Sequence, residues 1–132
     1  MILVSNILLW FLSQSITQEV QLKNHYYIKF SKIDNQAKVY LEDSLIITTN
    51  LYEGNPDLNI QFDLNTYLKK GNNNIRVELI NGSGDGIIGY DTYWHIYYEI
   101  FENKIPIDYM SDKSNNGTTG LVFSMTHEIM VE

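Results

Sequence analysis

The chain has 132 residues, of which 44% are hydrophobic and 13% are aromatic, and it contains no cysteine. This composition indicates one folded domain over residues 1–132 and excludes a disordered chain, a disulfide framework and a thiolate metal site. The formal net charge is −7 and the nine basic residues are scattered, which argues against nucleic acid as a partner.

Residues 1–15 are mostly apolar and allow two interpretations. Ser13 and Ser15 resemble the small residues at a signal-peptide cleavage site, but no basic residue precedes the apolar run. We therefore favour an integral N-terminal strand over a signal peptide. The run is too short for a transmembrane helix, so no membrane span is expected. On this interpretation, deletion of residues 1–12 gives insoluble or unfolded protein, and Trp10→Ala alone lowers the melting temperature by several degrees.

Alternation of apolar and polar residues predicts strands in the first part of the chain. Tyr26, Ile28 and Phe30, for example, fall on one face of an extended segment. A loop at residues 50–57 is rich in turn-forming residues and carries one exposed aromatic residue, Tyr52. The strands predicted before this loop are residues 16–22, 25–30, 37–41 and 45–48, the last two forming a hairpin through Glu42, Asp43 and Ser44.

Residues 57–80 contain two alternating segments on either side of a short polar turn. Residues 64–69 are predicted to form one helical turn, which Asn65 caps and Gly71 ends. The three asparagines at 72–74 then let the backbone turn before the next strand begins. The apolar faces of the two segments are Leu58, Ile60, Phe62 and Leu64 in the first and Ile75, Val77 and Leu79 in the second.

The last part of the chain begins with a glycine-rich loop at residues 81–91, followed by the most aromatic strand, residues 93–101. One face of that strand carries Trp94, Ile96, Tyr98 and Ile100, and the other carries Tyr93, His95, Tyr97, Glu99 and Phe101. Aromatic residues on both faces suggest a central strand or one that flanks a binding surface. A short edge segment at 104–109 with Pro106, a polar loop at 111–119 and a strand at 120–131 complete the chain.

Eight or nine short strands of this kind, separated by turns about every 8 to 12 residues, are typical of an all-β protein. We predict a two-sheet antiparallel β-sandwich of the jelly-roll type, with the one short helical turn near residues 64–69.

Residues 30–41, FSKIDNQAKVYL, place an acidic turn before an alternating A-x-V-Y-L, and residues 62–77, FDLNTYLKKGNNNIRV, place a helical turn and Lys-x-Gly-x-Asn between two strands. Both motifs resemble the galactose-binding-like β-sandwich, in the version that accompanies β-galactosidases and β-mannosidases as a sugar-binding domain. The chain departs from that pattern at residues 42–44, where Glu-Asp-Ser replaces the usual Asn-Gly, and after Asn81, where only generic strands match. The resemblance implies a jelly-roll fold, in a superfamily that includes sugar binders, protein binders and purely structural modules. Its motifs concern packing and turns and carry no ligand-binding residue across.

The ionisable residues show no spacing that is diagnostic of catalysis. His95 and Glu99 share a strand face but lie about 13 Å apart at the rise of a strand, and His127 and Glu128 point to opposite faces. The glycine-rich run at 84–89 precedes a predicted strand, whereas a phosphate-binding loop requires a helix there. We therefore predict that the protein is not an enzyme. The other residues considered for catalysis were His25, Asp34, Asp85 and Asp91.

Calcium is the ion that the loop acids would bind. Asp85 and Asp91 in the glycine-rich loop, or Glu53, Asn55 and Asp57 in the earlier loop, offer hard oxygen ligands. No EF-hand spacing exists, and solvated turn acids explain the same residues. We predict no cofactor, with a structural calcium ion as the alternative.

Aromatic residues near loops are the best functional candidates in the sequence. Their flat faces suit stacking against a sugar ring, and neighbouring Asn and Asp side chains can bond to its hydroxyl groups. Against this interpretation stands the alternation of Trp94 with Ile96, which is typical of a core residue. The predicted ligand-binding residues are Tyr52, Asn55, Asp57, Asp85, Tyr90, Asp91, Tyr93, Trp94 and Tyr109.

The sequence thus favours a non-catalytic module that recognises carbohydrate through loop aromatics at one end of a β-sandwich. The alternative is a structural or assembly subunit of a virion, an appendage or an extracellular complex. The partner of such a subunit is a protein, in a homo-oligomer or a larger assembly. Either function predicts an extracellular or particle-associated protein.

Overall fold

The computed structural model describes residues 21–82 and 93–132, which form two antiparallel sheets of four strands each. The predicted N-terminal strand at 1–15, most of the predicted strand at 16–22 and nearly all of the predicted glycine-rich loop lie outside the described residues. The strands are β1 (Tyr26–Ile33), β2 (Gln36–Leu41), β3 (Ser44–Thr48), β4 (Ile60–Asp63), β5 (Gly71–Asn81), β6 (Trp94–Glu102), β7 (Ile105–Ser114) and β8 (Gly120–Val131).

The first sheet has the strand order β4-β1-β6-β7 and the second has the order β3-β2-β5-β8. All pairings within both sheets are antiparallel. The prediction of an all-β, two-sheet β-sandwich is therefore confirmed. The finer assignments, to the jelly roll and to the galactose-binding-like family, stay predictions.

The core lies between the sheets and is built from the inward faces that alternation predicts. On β1 these are Tyr26, Ile28 and Phe30, and on β6 the inward residues include Ile96 and Ile100, each 0–1% exposed. Full burial of one such side chain stabilises the fold by about 1.5–3 kcal/mol. The remaining core residues are Ile33, Ala37, Val39, Ile47, Leu64, Leu68, Ile75, Val77, Leu79, Trp94, Tyr98, Phe123, Ile129 and Val131.

The predicted helical turn is present as a single hydrogen-bonded turn, in which the amide of Leu68 donates to the carbonyl of Leu64 at 3.0 Å. Its cap differs from the prediction. Asp63 Oδ1 accepts from the Asn65 amide at 2.8 Å, because an aspartate two residues upstream can satisfy the free amide. The Asn65 side chain instead accepts from the amide of Tyr26 and so ties the turn to β1. Gly71, which was predicted to end the turn, has a φ of 95° and is the first residue of β5.

The asparagines at 72–74 lie in β5 and not in a turn before it, which corrects the prediction for this segment. Asn73 points inward and is fully buried. Its amide nitrogen donates to the carbonyls of Lys69 and Gly71, and its oxygen accepts from the Lys69 amide at 3.1 Å. The buried side-chain amide therefore completes the hydrogen bonds of the backbone groups that precede the strand, which explains why a polar residue occupies a core position.

The segment after Pro106 also differs from the prediction. We expected a loop from residue 111, but β7 continues to Ser114 because it pairs with β6 as far as Trp94. Leu121 on β8 was expected to face the core, yet it is 55% exposed. A register shift where β5 passes from Leu79 to Ile80 changes the pairing of β8 at that point.

Candidate functional site

A groove of about 620 Å³ opens on the outer face of the first sheet, where β1, β6 and β7 lie side by side. This volume falls within the range of about 300–1,000 Å³ that is usual for ligand sites. We call it the outer-face groove. It is lined by Ser31, Lys32, Asp57, Leu58, His95, Tyr97, Ser111, Asp112 and Lys113.

Strand β6 supplies two of the aromatic side chains that line the groove, His95 and Tyr97. They point outward because the residues between and beside them are buried in the core. Strand pairing sets their neighbours: Lys32 of β1 and Ser111 of β7 lie on either side of Tyr97, and Lys113 lies opposite His95. The expectation that the aromatic strand is central is met, and its outer face lines the groove.

Lys32 reaches the groove through an irregularity in β1. In a regular strand Lys32 would share the inward face of Phe30, which lies two residues earlier and is buried. The pairing of β1 with β6 shifts between these two residues, and Lys32 therefore faces outward. Its ammonium group donates to the carbonyl of Asn55 at 3.0 Å and pairs with Asp57 at 2.7 Å. The hydrogen bond from Lys32 lowers the pKa of the Asp57 carboxyl.

His95 is the partly buried titratable group of the groove. Burial lowers the pKa of its imidazole, and the positive charges of Lys32 and Lys113 lower it further. The ring is therefore neutral at neutral pH. Its Nδ1 atom is buried and has no hydrogen-bond partner among the described residues.

The residues predicted from the loop at 50–57 divide between the groove and other contacts. Asp57 lines the groove, and Asn55 contributes its backbone carbonyl to Lys32. Tyr52 is half-buried against the core, and its amide donates to the carbonyl of Asn35 at 2.8 Å. It lines a smaller cavity of about 300 Å³, beside β3 and β4. Tyr52 is therefore held in the structure and is not the freely exposed loop aromatic that we expected.

The aromatic residues predicted near the end of the chain have three different environments. Trp94 is 5% exposed and belongs to the core, so its ring presents no free face and the expectation for it is corrected. Tyr93 is half-buried and packs edge-on against His95, with 6.4 Å between ring centroids. Tyr109 lies on β7 and is 69% exposed. The predicted residues Asp85, Tyr90 and Asp91 lie outside the described residues.

A hydrogen-bond chain that runs from the core to the half-exposed Asp108 joins the two sheets and was not predicted. The hydroxyl of Tyr98 on β6 lies 2.7 Å from Nε2 of His127 on β8, and Nδ1 of His127 lies 2.7 Å from the carboxylate of Asp108 on β7. Burial strongly raises the pKa of the Tyr98 hydroxyl, so it stays protonated and can donate to a neutral imidazole. The one signal in the sequence was a histidine at an inward position of β8, because a buried polar ring requires partners.

Within residues 21–82 and 93–132, no group of three or more His, Cys, Asp or Glu side chains is arranged to hold a metal ion. Asp57, one of the residues considered for calcium, is engaged by Lys32. The other acids proposed for calcium, Asp85 and Asp91, lie outside these ranges, so a structural calcium ion stays the alternative to the predicted absence of a cofactor. The same ranges contain no helix that is long and apolar enough to cross a membrane.

Comparisons of the chain with protein-family models, with curated proteins and with solved structures find no match. The site is therefore interpreted from its own geometry and chemistry.

Proposed function

We propose that the protein is a non-catalytic carbohydrate-binding module and that its ligand lies in the outer-face groove. The observation that carries this proposal is the content of the groove, which combines an aromatic ring with hydroxyl and charged side chains. Tyr97 offers an aromatic surface beside the hydroxyl groups of Ser31 and Ser111. A sugar presents the matching chemistry, because its C–H face stacks on aromatic rings and its hydroxyl groups bond to polar side chains.

The position of the groove on strands also supports binding. Tyr97 lies on β6, which has a paired strand on each side, so the backbone beneath the groove is held by two ladders. A site on such a rigid element loses little conformational entropy when a ligand binds. The motifs that resemble the galactose-binding-like family support the same function, although the proposed site is a sheet face and not the loop end that we expected from the sequence.

Glycan-array screening followed by calorimetric titration tests this function. The titration is done with and without calcium, so that a calcium-dependent site is detected as well. We expect binding of at least one glycan at concentrations of about 1 mM or below. If no glycan binds in that range, the proposal is wrong.

A matched pair of variants locates the site. Tyr97→Ala removes the tyrosine ring of the groove and should abolish most of the binding. Tyr109→Ala removes an exposed tyrosine from the same sheet, outside the groove, and should leave the affinity unchanged. If Tyr109→Ala is the variant that loses binding, the ligand occupies another part of the sheet.

A second candidate, an assembly subunit, is favoured by one specific observation. Among the described residues eight large hydrophobic side chains are exposed, and five of them lie on β7 and β8: Ile105, Ile107, Tyr109, Leu121 and Met130. These two strands are the neighbouring edges of the two sheets, since Asp108 and His127 are hydrogen-bonded across them. Exposed apolar residues on edge strands are typical of surfaces that associate with another chain.

Light scattering distinguishes this candidate from a monomeric binding module. If the partner is a second copy of the chain, light scattering should show a defined oligomer. The double variant Ile105→Asp, Met130→Asp should dissociate it. A control variant, Leu45→Asp, changes an exposed leucine on β3 and should not affect the oligomer. A monomer at high protein concentration argues against assembly.

A further inference from the structure

We infer that the outer-face groove selects acidic glycans, with a carboxylate or sulfate group of the sugar against Lys113 and the sugar ring over Tyr97. This inference rests on the proposed carbohydrate binding. It concerns the class of sugar, which neither the sequence motifs nor the overall fold specifies.

The two lysines of the groove have different partners. Lys32 already has a carboxylate at 2.7 Å, that of Asp57. Lys113, by contrast, has no carboxylate within ion-pair distance among the described residues, although it lines the same groove. Its ammonium group is therefore the cation of the groove that is available to an anionic ligand.

The carboxylate nearest to Lys113 in the sequence is held by the backbone. Asp112 Oδ1 accepts from the Lys113 amide at 2.9 Å. In the strand pairing, Asp112 lies opposite Ile96 of the core face, whereas Lys113 lies opposite His95 of the outer face. Asp112 also lines the groove, but successive residues of a strand point to opposite faces, and no ion pair joins its carboxylate to the ammonium group of Lys113.

The electrostatic environment of His95 agrees with this geometry. The two charges that lower the pKa of its imidazole are those of Lys32 and Lys113, which lie on opposite sides of β6. The positive charge is local to the two lysines around His95, because Asp57 and Asp112 also line the groove and the formal net charge of the chain is −7. A lysine without an ion-pair partner in these surroundings favours an anionic group at short range.

Calorimetry with three sugar probes tests the inference. The probes are a galacturonic acid trisaccharide, a sulfated galactose trisaccharide and the neutral galactose trisaccharide. We expect one or both acidic probes to bind at least about tenfold more tightly than the neutral probe, which is the order expected of one charge-assisted hydrogen bond. Raising the salt concentration from about 50 to about 300 mM should weaken binding of the acidic probe only, because screening acts on the charge contact.

A lysine variant and its control assign the effect to the groove. Lys113→Gln should lower the affinity for the acidic probe about tenfold and should bring it near that of the neutral probe. Lys104→Gln removes an exposed lysine in the turn before β7, far along the strand from Lys113, and should change neither affinity. Thermal melting of both variants confirms that they are folded.

The possible results separate the two proposals. If the neutral and acidic probes bind equally, or if Lys113→Gln retains the preference, the inference is wrong and the carbohydrate-binding function stands. If none of these probes and no glycan on the array binds, the carbohydrate-binding function is wrong and the inference falls with it. If only the sulfated probe or only the uronate probe binds tightly, the inference holds and the anionic group is identified.

Discussion

The outer faces of the two sheets carry similar kinds of residue but arrange them in opposite ways. On the second sheet, Arg76 lies over the ring of Tyr40 at 4.3 Å, donates to Glu78 at 3.2 Å and pairs with Asp43. Its charge is therefore matched by residues of the same face and the adjoining turn. On the first sheet, Lys32, His95 and Lys113 surround an open groove, and only Lys32 has a carboxylate partner among the described residues. The comparison shows that an alternating strand pattern fixes which residues are exposed, whereas their mutual pairing decides whether a surface is free to bind.

The largest effect on stability is expected from the hydrogen-bond chain of Tyr98, His127 and Asp108, because it joins the two sheets whose outer faces are compared above. His127→Ala leaves the buried Tyr98 hydroxyl without its partner and opens a cavity, so we expect a loss of roughly 2–3 kcal/mol in the free energy of unfolding. Tyr98→Phe removes the hydroxyl alone and should cost about 1 kcal/mol. Urea denaturation of both variants and of the double variant measures the coupling. If the two losses are simply additive, the hydrogen bond between them contributes nothing to stability.

A smaller effect is expected on the self-paired face. Arg76→Ala removes the contact with Tyr40 and both carboxylate contacts, so the melting temperature should fall, though by less than in His127→Ala. Arg76→Lys keeps the charge but loses the planar stacking and should recover only part of the difference. Neither variant should change glycan affinity. A loss of binding in Arg76→Ala with the fold intact would place a ligand on the second sheet and reverse the comparison.

The smallest effect concerns the protonation of His95. Because its pKa is lowered in the folded protein from the ordinary value of 6.5, the unfolded chain binds the proton more readily than the folded one. This contribution to stability is fully present above about pH 6.5 and decreases as the pH falls through that value. Melting temperatures measured between about pH 7.5 and 5.5 should therefore fall more steeply for the unmodified chain than for His95→Gln. Parallel curves would show that neither burial nor the charges of Lys32 and Lys113 lower the pKa of the imidazole.

The groove shows how far the sequence could lead. Alternation predicted that His95 and Tyr97 share the outer face of a central, aromatic strand, and this is what the structure shows. Lys32 could not be placed in the same way, because strict alternation from Phe30 puts it in the core. A register shift between these two residues turns Lys32 outward, and a shift of one residue leaves no mark in composition or spacing.

The remaining sites depended on contacts between residues far apart in the chain. Asp108 and His127 lie on neighbouring edges of different sheets, and no local pattern relates them. For the loop aromatic residues, the sequence predicted the loop position correctly but not the contacts that the residue makes there. Tyr52 does follow β3 in a loop, but its amide pairs with the carbonyl of Asn35, which holds it against the core.

The strand order has a consequence for how the chain folds during synthesis. In the first sheet β1 pairs with β6, so Tyr26 cannot form its strand pairing until Glu102 has been synthesised. In the second sheet the longest ladder joins β5 to β8, the last strand of the chain. The first sheet cannot close before β6 and β7 have left the ribosome, nor the second before β8 has, and folds with such distant pairings form slowly, over roughly milliseconds to seconds. The nascent chain therefore exposes unpaired apolar strands for much of its synthesis, and we expect its yield in cells to depend on chaperones and on growth temperature more than its final stability does.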